Sequence, residues 1–503
     1  MAFLLFGYDQ GVMGGFVGYP ENSFAEVFDN PDATLTGVIV SIYEIGCLVG
    51  SIIVLVAGER LGRRRVIIIG NVIVVVGATL QASAFTVAHL IVGRVVAGIG
   101  NGFNTATVPM WQSETTQPKH RGRTVCIEGF LIVVGCCIAY WVDYGLSFAA
   151  GSVQWRFPIM FQSFFAIIVV ALALFLPESP RWLIRMGRDE KAQEVICCLH
   201  GEGATMEDPE PSHLYNSIKE AIFLETEERG HFSYAELFGG GKMQNFRRIV
   251  LCFLSLAYQQ LSGINLISYY FPVLLMNMGM DRNMSLLLSG VGLIEYAFAA
   301  LIPVFVIEKA GRRTLLLTGA WGQSLCMMVL AICVHNGSKA ANGVSVASLF
   351  LFDSFFAISW LCVAWLYPAE ITPLRIRSKG TAVASIANWL FNFVVVMITP
   401  VALENIQYRT YIIFAVINIS AVPVVFFFFP ETTGLSLEEV DRIFESFSEH
   451  KITAGVLQNR KVKRNIEKFH HEATDDPVLH KTDPEKYSTD KHVENTSLRS
   501  ISS

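Results

Sequence analysis

Charge is scarce in this chain: only 16% of its 503 residues are Asp, Glu, Lys or Arg, where a soluble protein carries roughly 25%. That shortage excludes an ordinary soluble globular domain. No strongly basic tract stands outside loop-sized clusters and the net charge is only −5, so nucleic acid is not an expected partner. The ten cysteines form no CxxC pair and no spaced Cys/His set. They lie mostly in apolar runs, which excludes a disulfide framework and a zinc site and leaves them as small buried side chains. No metal-ligand spacing and no nucleophile–base constellation is present, so neither an enzyme nor a resident metal or cofactor is expected. Gly98-Ile99-Gly100-Asn101-Gly102 lacks the strand-turn-helix setting of a dinucleotide fingerprint. Inside an apolar run it predicts close helix packing through small residues.

What the chain has instead is hydrophobic length. Apolar residues make up 52% of it and the mean hydropathy is +0.45. Roughly twelve runs approach the ~20 residues needed to cross a bilayer core. They cover about 1–19, 36–57, 66–84, 88–110, 124–148 and 157–176, then 249–276, 284–307, 314–334, 344–367, 380–403 and 410–429. This predicts an all-α membrane protein with an N-terminal half at 1–176 and a C-terminal half at 249–429. A polar central loop with short helices spans 177–248, and a hydrophilic tail at 430–503 is expected to be disordered from about 461. The first run is short, carries Asp9 in its middle and lacks a signal peptide's basic start and cleavage site. It reads as a span missing an N-terminal extension.

Basic residues crowd alternate loops at 60–65, 119–123, the central segment, 309–313, 375–379 and the tail, whereas 20–35 has none. The positive-inside rule then places both termini in the cytoplasm, with the plasma membrane the default location. Two of these loops repeat: Glu59-Arg60-Leu61-Gly62-Arg63-Arg64 returns as Glu308-Lys309-Ala310-Gly311-Arg312-Arg313. The repetition points to a duplicated bundle, an architecture of secondary transporters.

Ionisable groups within the spans each need a reason, since one at the bilayer centre costs roughly 2.5–3.5 kcal/mol. Asp9, Glu44, Arg94, Glu128, Glu295 and Asp353 are such groups. Arg94 needs a carboxylate partner, and Asp9 is the expected one. Alternate pairing and protonation of Asp9 would couple protons to transport; a static pair ordering two helices is the other reading. In the second half, Gln259-Gln260-Leu261-Ser262-Gly263-Ile264-Asn265 interrupts an apolar run. Amides donate and accept, which suits a polyhydroxy ligand, with Tyr269, Tyr270, Trp365 and Trp389 as packing surfaces; interhelical hydrogen bonding is the alternative for any one amide.

These features resemble the sugar porter family of the major facilitator superfamily. The matching motifs are Phe6-Gly7-Tyr8-Asp9, Gly93-Arg94, Pro109 to Glu114, Arg121-Gly122, Pro177 to Leu183, Gln259 to Asn265, Pro368-Ala369-Glu370 with Arg375, Asn388-Trp389 and Pro430 to Gly434. The resemblance implies about twelve helices in two six-helix halves rocking around a central site. It places substrate contacts on Gln259, Gln260, Asn265, Tyr296, Trp365 and Asn392, and a proton-coupling pair on Asp9 and Arg94. It places a cytoplasmic gating network on Glu59, Arg63, Arg64, Glu114, Arg121, Glu178 and Arg181, and on Glu308, Arg312, Arg313, Glu370, Arg375 and Glu431.

Where many hexose porters have a fifth-span glutamine, this chain has Gly129 beside Glu128, itself a candidate substrate contact. An acidic tenth-span position is Ala357, and no proline lies between Ser359 and Trp365, which predicts a straighter helix there. Thr433 replaces a customary lysine. Asp9 to Gly15, Trp111 to Glu114, Glu128-Gly129 and Ala139 to Gly145 look most like a fungal branch that includes glycerol/proton symporters. The expectation is therefore proton-coupled import of a small polyol or monosaccharide, glycerol-like first, by a chain acting as a monomer in the bilayer. A facilitative hexose or pentose carrier and a nutrient sensor are the alternatives. The absence of a fifth-span glycine-proline motif argues against a drug antiporter.

Overall fold

The structure is a computed structural model and describes residues 1–17, 23–116, 121–201, 203–226, 234–239, 243–435, 440–441 and 443–444. The tail expected to be disordered, and the side chains of Glu59, Arg121 and Arg375, lie outside the described part. Every long regular element described is helical. The first group is α1 (Ala2–Gly11), α2 (Ser23–Val27), α3 (Ala33–Leu61), α4 (Arg63–Ala82), α5 (Val87–Thr115), α6 (Arg121–Leu146) and α7 (Val153–Phe175). Three shorter helices follow: α8 (Pro180–Arg185), α9 (Asp189–His200) and α10 (Pro209–Thr226). The second group is α11 (Asn245–Leu261), α12 (Ile264–Asn277), α13 (Arg282–Ala310), α14 (Arg312–Asn336), α15 (Lys339–Ile358), α16 (Trp360–Ile371), α17 (Leu374–Asn405) and α18 (Arg409–Phe428).

Ten helical segments among the described residues are long and apolar enough to cross a membrane. The ten-residue α1 and the more polar α5, with Arg94, Asn101 and Asn104, fall outside that set. The bundle's outer surface is apolar, with Phe175, Val56 and Phe298 exposed. A multi-pass membrane protein shows that pattern because helices satisfy their backbone internally and present side chains to lipid.

Small residues set the closest contacts. A Cβ on Gly46 or Gly50 of α3 would sit 2.4 or 2.3 Å from carbonyl oxygens of α5, and one on Gly98 or Gly102 of α5 would sit 2.2 or 2.3 Å from carbonyls of α3. The glycine run therefore lets two backbones touch, as expected. α3 also packs on α17, α6 on α13 and α16, and α1 on α12, so these helices join the two groups.

The expected straight helix before Trp365 is not what forms. Residues 339–371 break at Ser359, whose φ −117° and ψ −80° separate α15 from α16. The Ser359 hydroxyl donates to the Phe355 carbonyl at 2.5 Å, and its oxygen occupies the place a Cβ of Gly319 would take. Serine back-bonding bends helices without proline, and a glycine on α14 makes room for the bend.

Candidate functional site

Each Gly-Arg-Arg loop is built as a helix start. Gly62 (φ 88°, ψ 161°) precedes α4 and Gly311 (φ 87°, ψ 150°) precedes α14. The Glu178 carboxylate accepts from the amides of Arg63 and Arg64 at 3.0 and 3.2 Å. Glu431 accepts from Arg312 and Arg313 at 2.9 and 3.1 Å. A carboxylate on orphan amides at a helix N-terminus satisfies donors and complements the dipole. The second arginine runs the other way: Arg64 donates to the Leu174 carbonyl and Arg313 to that of Phe426, near the ends of α7 and α18. The first arginine forms ion pairs, Arg63 with Glu114 at 3.0 Å and Arg312 with Glu370 at 2.9 Å and Glu308 at 3.0 Å. These described ion pairs lie within one helical group each. Thr433 accepts from Arg312 and donates to Glu431, so a neutral hydroxyl serves both where a lysine would add a cation.

From this face a cavity of about 1480 Å³ runs inward. Arg63, Glu114, Arg181, Arg377 and Lys379 line its mouth, and Glu128, Gly129, Ile132, Leu361 and Trp365 line its depth. Glu128 is buried, and one of its oxygens has no hydrogen-bond partner. A Cβ on Gly129 would stand 2.9 Å from the Cys362 Sγ, which leaves no room here for a glutamine.

The other expected substrate residues sit beyond the cavity. Leu261 ends α11, and Gly263 (φ 97°) turns the chain into α12. That turn lets Asn265 donate to the Gln260 Oε1 while accepting from Gln10 of α1 at 2.7 Å. Gln260 in turn donates to Asn388 of α17 at 2.5 Å. Gln259 donates to the carbonyls of Trp360 and Leu361 at the start of α16. The Asn392 amide oxygen is buried without a partner, and Tyr296 packs edge-on near Phe356. Of the four aromatic candidates only Trp365 lines the cavity. Trp389 packs on Phe6, Tyr270 donates to the Val396 carbonyl, and Tyr269 donates to Glu44 of α3 at 2.5 Å. Tyr140 of α6 adds a bond to the Ser268 carbonyl at 2.8 Å. The first turns of α12 are thereby bound to α1, α3 and α6, and none of α12's residues lines the cavity.

The expected Asp9–Arg94 ion pair is not made. Asp9 accepts from the Tyr43 hydroxyl at 2.8 Å and its second oxygen has no partner. Arg94, fully buried, donates to the Ile39 and Val40 carbonyls of α3 at 3.2 and 2.6 Å and lies 4.8 Å over the Tyr43 ring. Tyr43 thus stands between acid and base. Gln10, Tyr43, Glu44 and Asn388 were not among the residues expected to form the site. Asn388 and Gln10 lie within motif stretches and Glu44 is an ionisable group inside a span, which was the available signal; Tyr43 had none beyond its place beside Glu44.

Residues 1–444 match the family described as "Sugar (and other) transporter". The chain belongs to it. It is a transporter, not an enzyme, and its fold is that of the major facilitators. The chain is 41% identical over 452 residues to the MFS-type transporter oryC of Aspergillus oryzae, covering 88% of this chain and 83% of that protein. It is 39% identical over 460 residues to the sugar transporter STL1 of Saccharomyces cerevisiae, covering 88% and 79%. Among solved structures, the proton:xylose symporter XylE bound to 6-bromo-6-deoxy-D-glucose superposes with a TM-score of 0.75 at 26% identity, covering 88% of this chain and 97% of that one.

Proposed function

We propose that this sugar-porter-type secondary transporter imports a monosaccharide or small polyol together with a proton, with a glycerol-like polyol the first candidate. Residues 1–176 and 249–429 act as two six-helix halves, joined by a cytoplasmic segment at 177–248, and 430–503 is a cytoplasmic tail. With basic loops facing the cytoplasm, the cavity opens inward and α12 closes the outer face. The single observation that carries proton coupling is the unmade Asp9–Arg94 pair. Arg94 is satisfied by carbonyls and Asp9 by a phenol, so the two charges have an alternative to each other, as a coupling pair requires. A pair with only one arrangement would be purely structural.

Gln259, Gln260, Asn265, Tyr296, Trp365, Asn392 and Glu128 are the proposed substrate contacts. Gln259, Gln260 and Asn265 bond to other side-chain amides or to backbone carbonyls, and a ligand's hydroxyls would replace those partners, while the Asn392 oxygen has none to give up. Similarity to a proton:xylose symporter supports the proton reading by analogy. The residues proposed to gate the cytoplasmic side are the ion pairs and helix caps of Arg63, Arg64, Glu114 and Glu178 and of Glu308, Arg312, Arg313, Glu370 and Glu431. Glu59, Arg121, Arg181 and Arg375 join them by motif.

The test is external pH in a weakly buffered suspension of transporter-deficient yeast expressing the chain, with glycerol, glucose and xylose added in turn. Alkalinisation on one of them, abolished by Asp9→Asn while that variant still equilibrates labelled substrate, is the expected result. A flat trace with uptake intact would leave a facilitator.

A further inference from the structure

The group that binds the closing helix to the first half is itself a carboxyl. Glu44 is fully buried on α3, next in sequence to the Tyr43 that holds Asp9. Its Oε1 accepts from Tyr269, 225 residues away on α12, and its Oε2 has no partner. Facing it are Arg94 from α5, Asp9 from α1 and Tyr269 from α12, with Tyr43 and Cys47 from its own helix. Among the described residues, Arg94 is thus the one cation within reach of both carboxyls. All three side chains are at most 1% exposed.

Charge counting then decides the state. With both acids ionised the cluster would hold two negative charges against one positive charge, leaving a net buried charge that a low-dielectric setting strongly disfavours. With one proton it is neutral. Each acid also keeps one oxygen without a donor, which a fully ionised pair would leave unsatisfied twice.

We propose that Glu44 is the second half of the proton site: Asp9 and Glu44 share one proton against Arg94, and the Glu44–Tyr269 bond joins that proton to the closing helix. Glu44 is a positioning and proton-holding residue on this reading, which rests on the transporter being proton-coupled. When α12 leaves, Glu44 loses its phenol and turns to Arg94, so the charge state of the cluster and the closure of the outer face change together.

The experiment is infrared difference spectroscopy of the purified full chain in liposomes, reading the carbonyl stretch of protonated carboxyls. The variants are Asp9→Asn, Glu44→Gln and the double substitution, each first shown to be monodisperse. Removing either acid leaves the other ionised beside Arg94. Each single variant therefore loses the same band, and the double variant loses no more than either single. Tyr269→Phe keeps the band and shifts its frequency, because the bond to Glu44 is gone. An unchanged band in Glu44→Gln, or losses that add in the double variant, overturns the shared site. The yeast pH trace separates the two ideas: alkalinisation lost in Asp9→Asn but kept in Glu44→Gln sinks this inference alone, whereas a shared band with no alkalinisation by wild type sinks the symport reading.

Discussion

Replacing Gly62 by alanine tests how the repeated loops are built. At φ 88° and ψ 161° the backbone is in a region nearly reserved for glycine, and forcing a side chain there costs about 1–3 kcal/mol. The new Cβ would lie 2.7 Å from the Glu178 Oε2 and 3.1 Å from the Trp182 ring. The carboxylate must move, and the amides of Arg63 and Arg64 lose their acceptor. Loss of a helix cap is worth about 0.5–2 kcal/mol, so the total is roughly 1.5–5 kcal/mol. Gly311→Ala repeats the geometry against Glu431 at 2.6 Å and should behave alike. Gly337→Ala is the control: φ is 66° with no heavy atom within 4 Å of the new Cβ, leaving only the left-handed penalty of about 1–2 kcal/mol. Melting of detergent-solubilised protein, followed by fluorescence-detected gel filtration after heating, reads the order. Wild type should outlast Gly337→Ala, and that variant should outlast Gly62→Ala and Gly311→Ala. If Gly62→Ala melts with Gly337→Ala, the carboxylate cap contributes nothing and the account of both loops is wrong.

Gln260→Ala strips both Asn265 and Asn388 of their bond to Gln260; if the same amides hold substrate, KM for whichever sugar or polyol is carried should rise about tenfold or more, from roughly 1–3 kcal/mol per unpaired buried group. A rise below twofold in labelled uptake would remove the amide chain from the site. Gly129→Gln puts a side chain where Cys362 stands and should destabilise this conformation by about 1–3 kcal/mol, with Cys362→Ala restoring part of the loss in the same melting assay. No recovery in the double variant would mean that Cys362 is not what fills the space.

How much was legible in the residues depends on the range of the interaction. The Gly-Arg-Arg loops are local, and their glutamates at fixed spacing foretold a basic turn between spans. The resemblance put Glu178 and Glu431, over a hundred residues on, in one network with these arginines; what stayed hidden was that they would cap the backbone amides at the starts of α4 and α14. The glycine run on α5 predicted close packing because small residues are the packing signal itself. Ser359 shows the opposite case: the absence of proline suggested a straight helix, but the bend comes from a hydroxyl and from Gly319 on another helix, which only tertiary contact reveals. Pairing Arg94 with Asp9 followed from counting charges in spans, and it overlooked that helix carbonyls can satisfy a guanidinium in their place.

The sequence marks Tyr269 as a surface on which a ligand could pack, because a hydroxyl bound to a distant side chain leaves no trace in the local pattern. Its hydroxyl is bound to Glu44, and four residues earlier Asn265 is bound to Gln10 and Gln260. One turn of α12 therefore carries both a link of the amide chain and the link to the buried acids. On the proposed function, moving that turn outward would break both at once: it would free Asn265 and Gln260 for a ligand's hydroxyls and release Glu44 toward Arg94. Under the proposed rocking of the two halves, substrate and proton sites then become available in a single motion, although their residues lie on different helices. Coupling of that kind needs no wire between distant sites. It needs only that the closing element hold a partner in each.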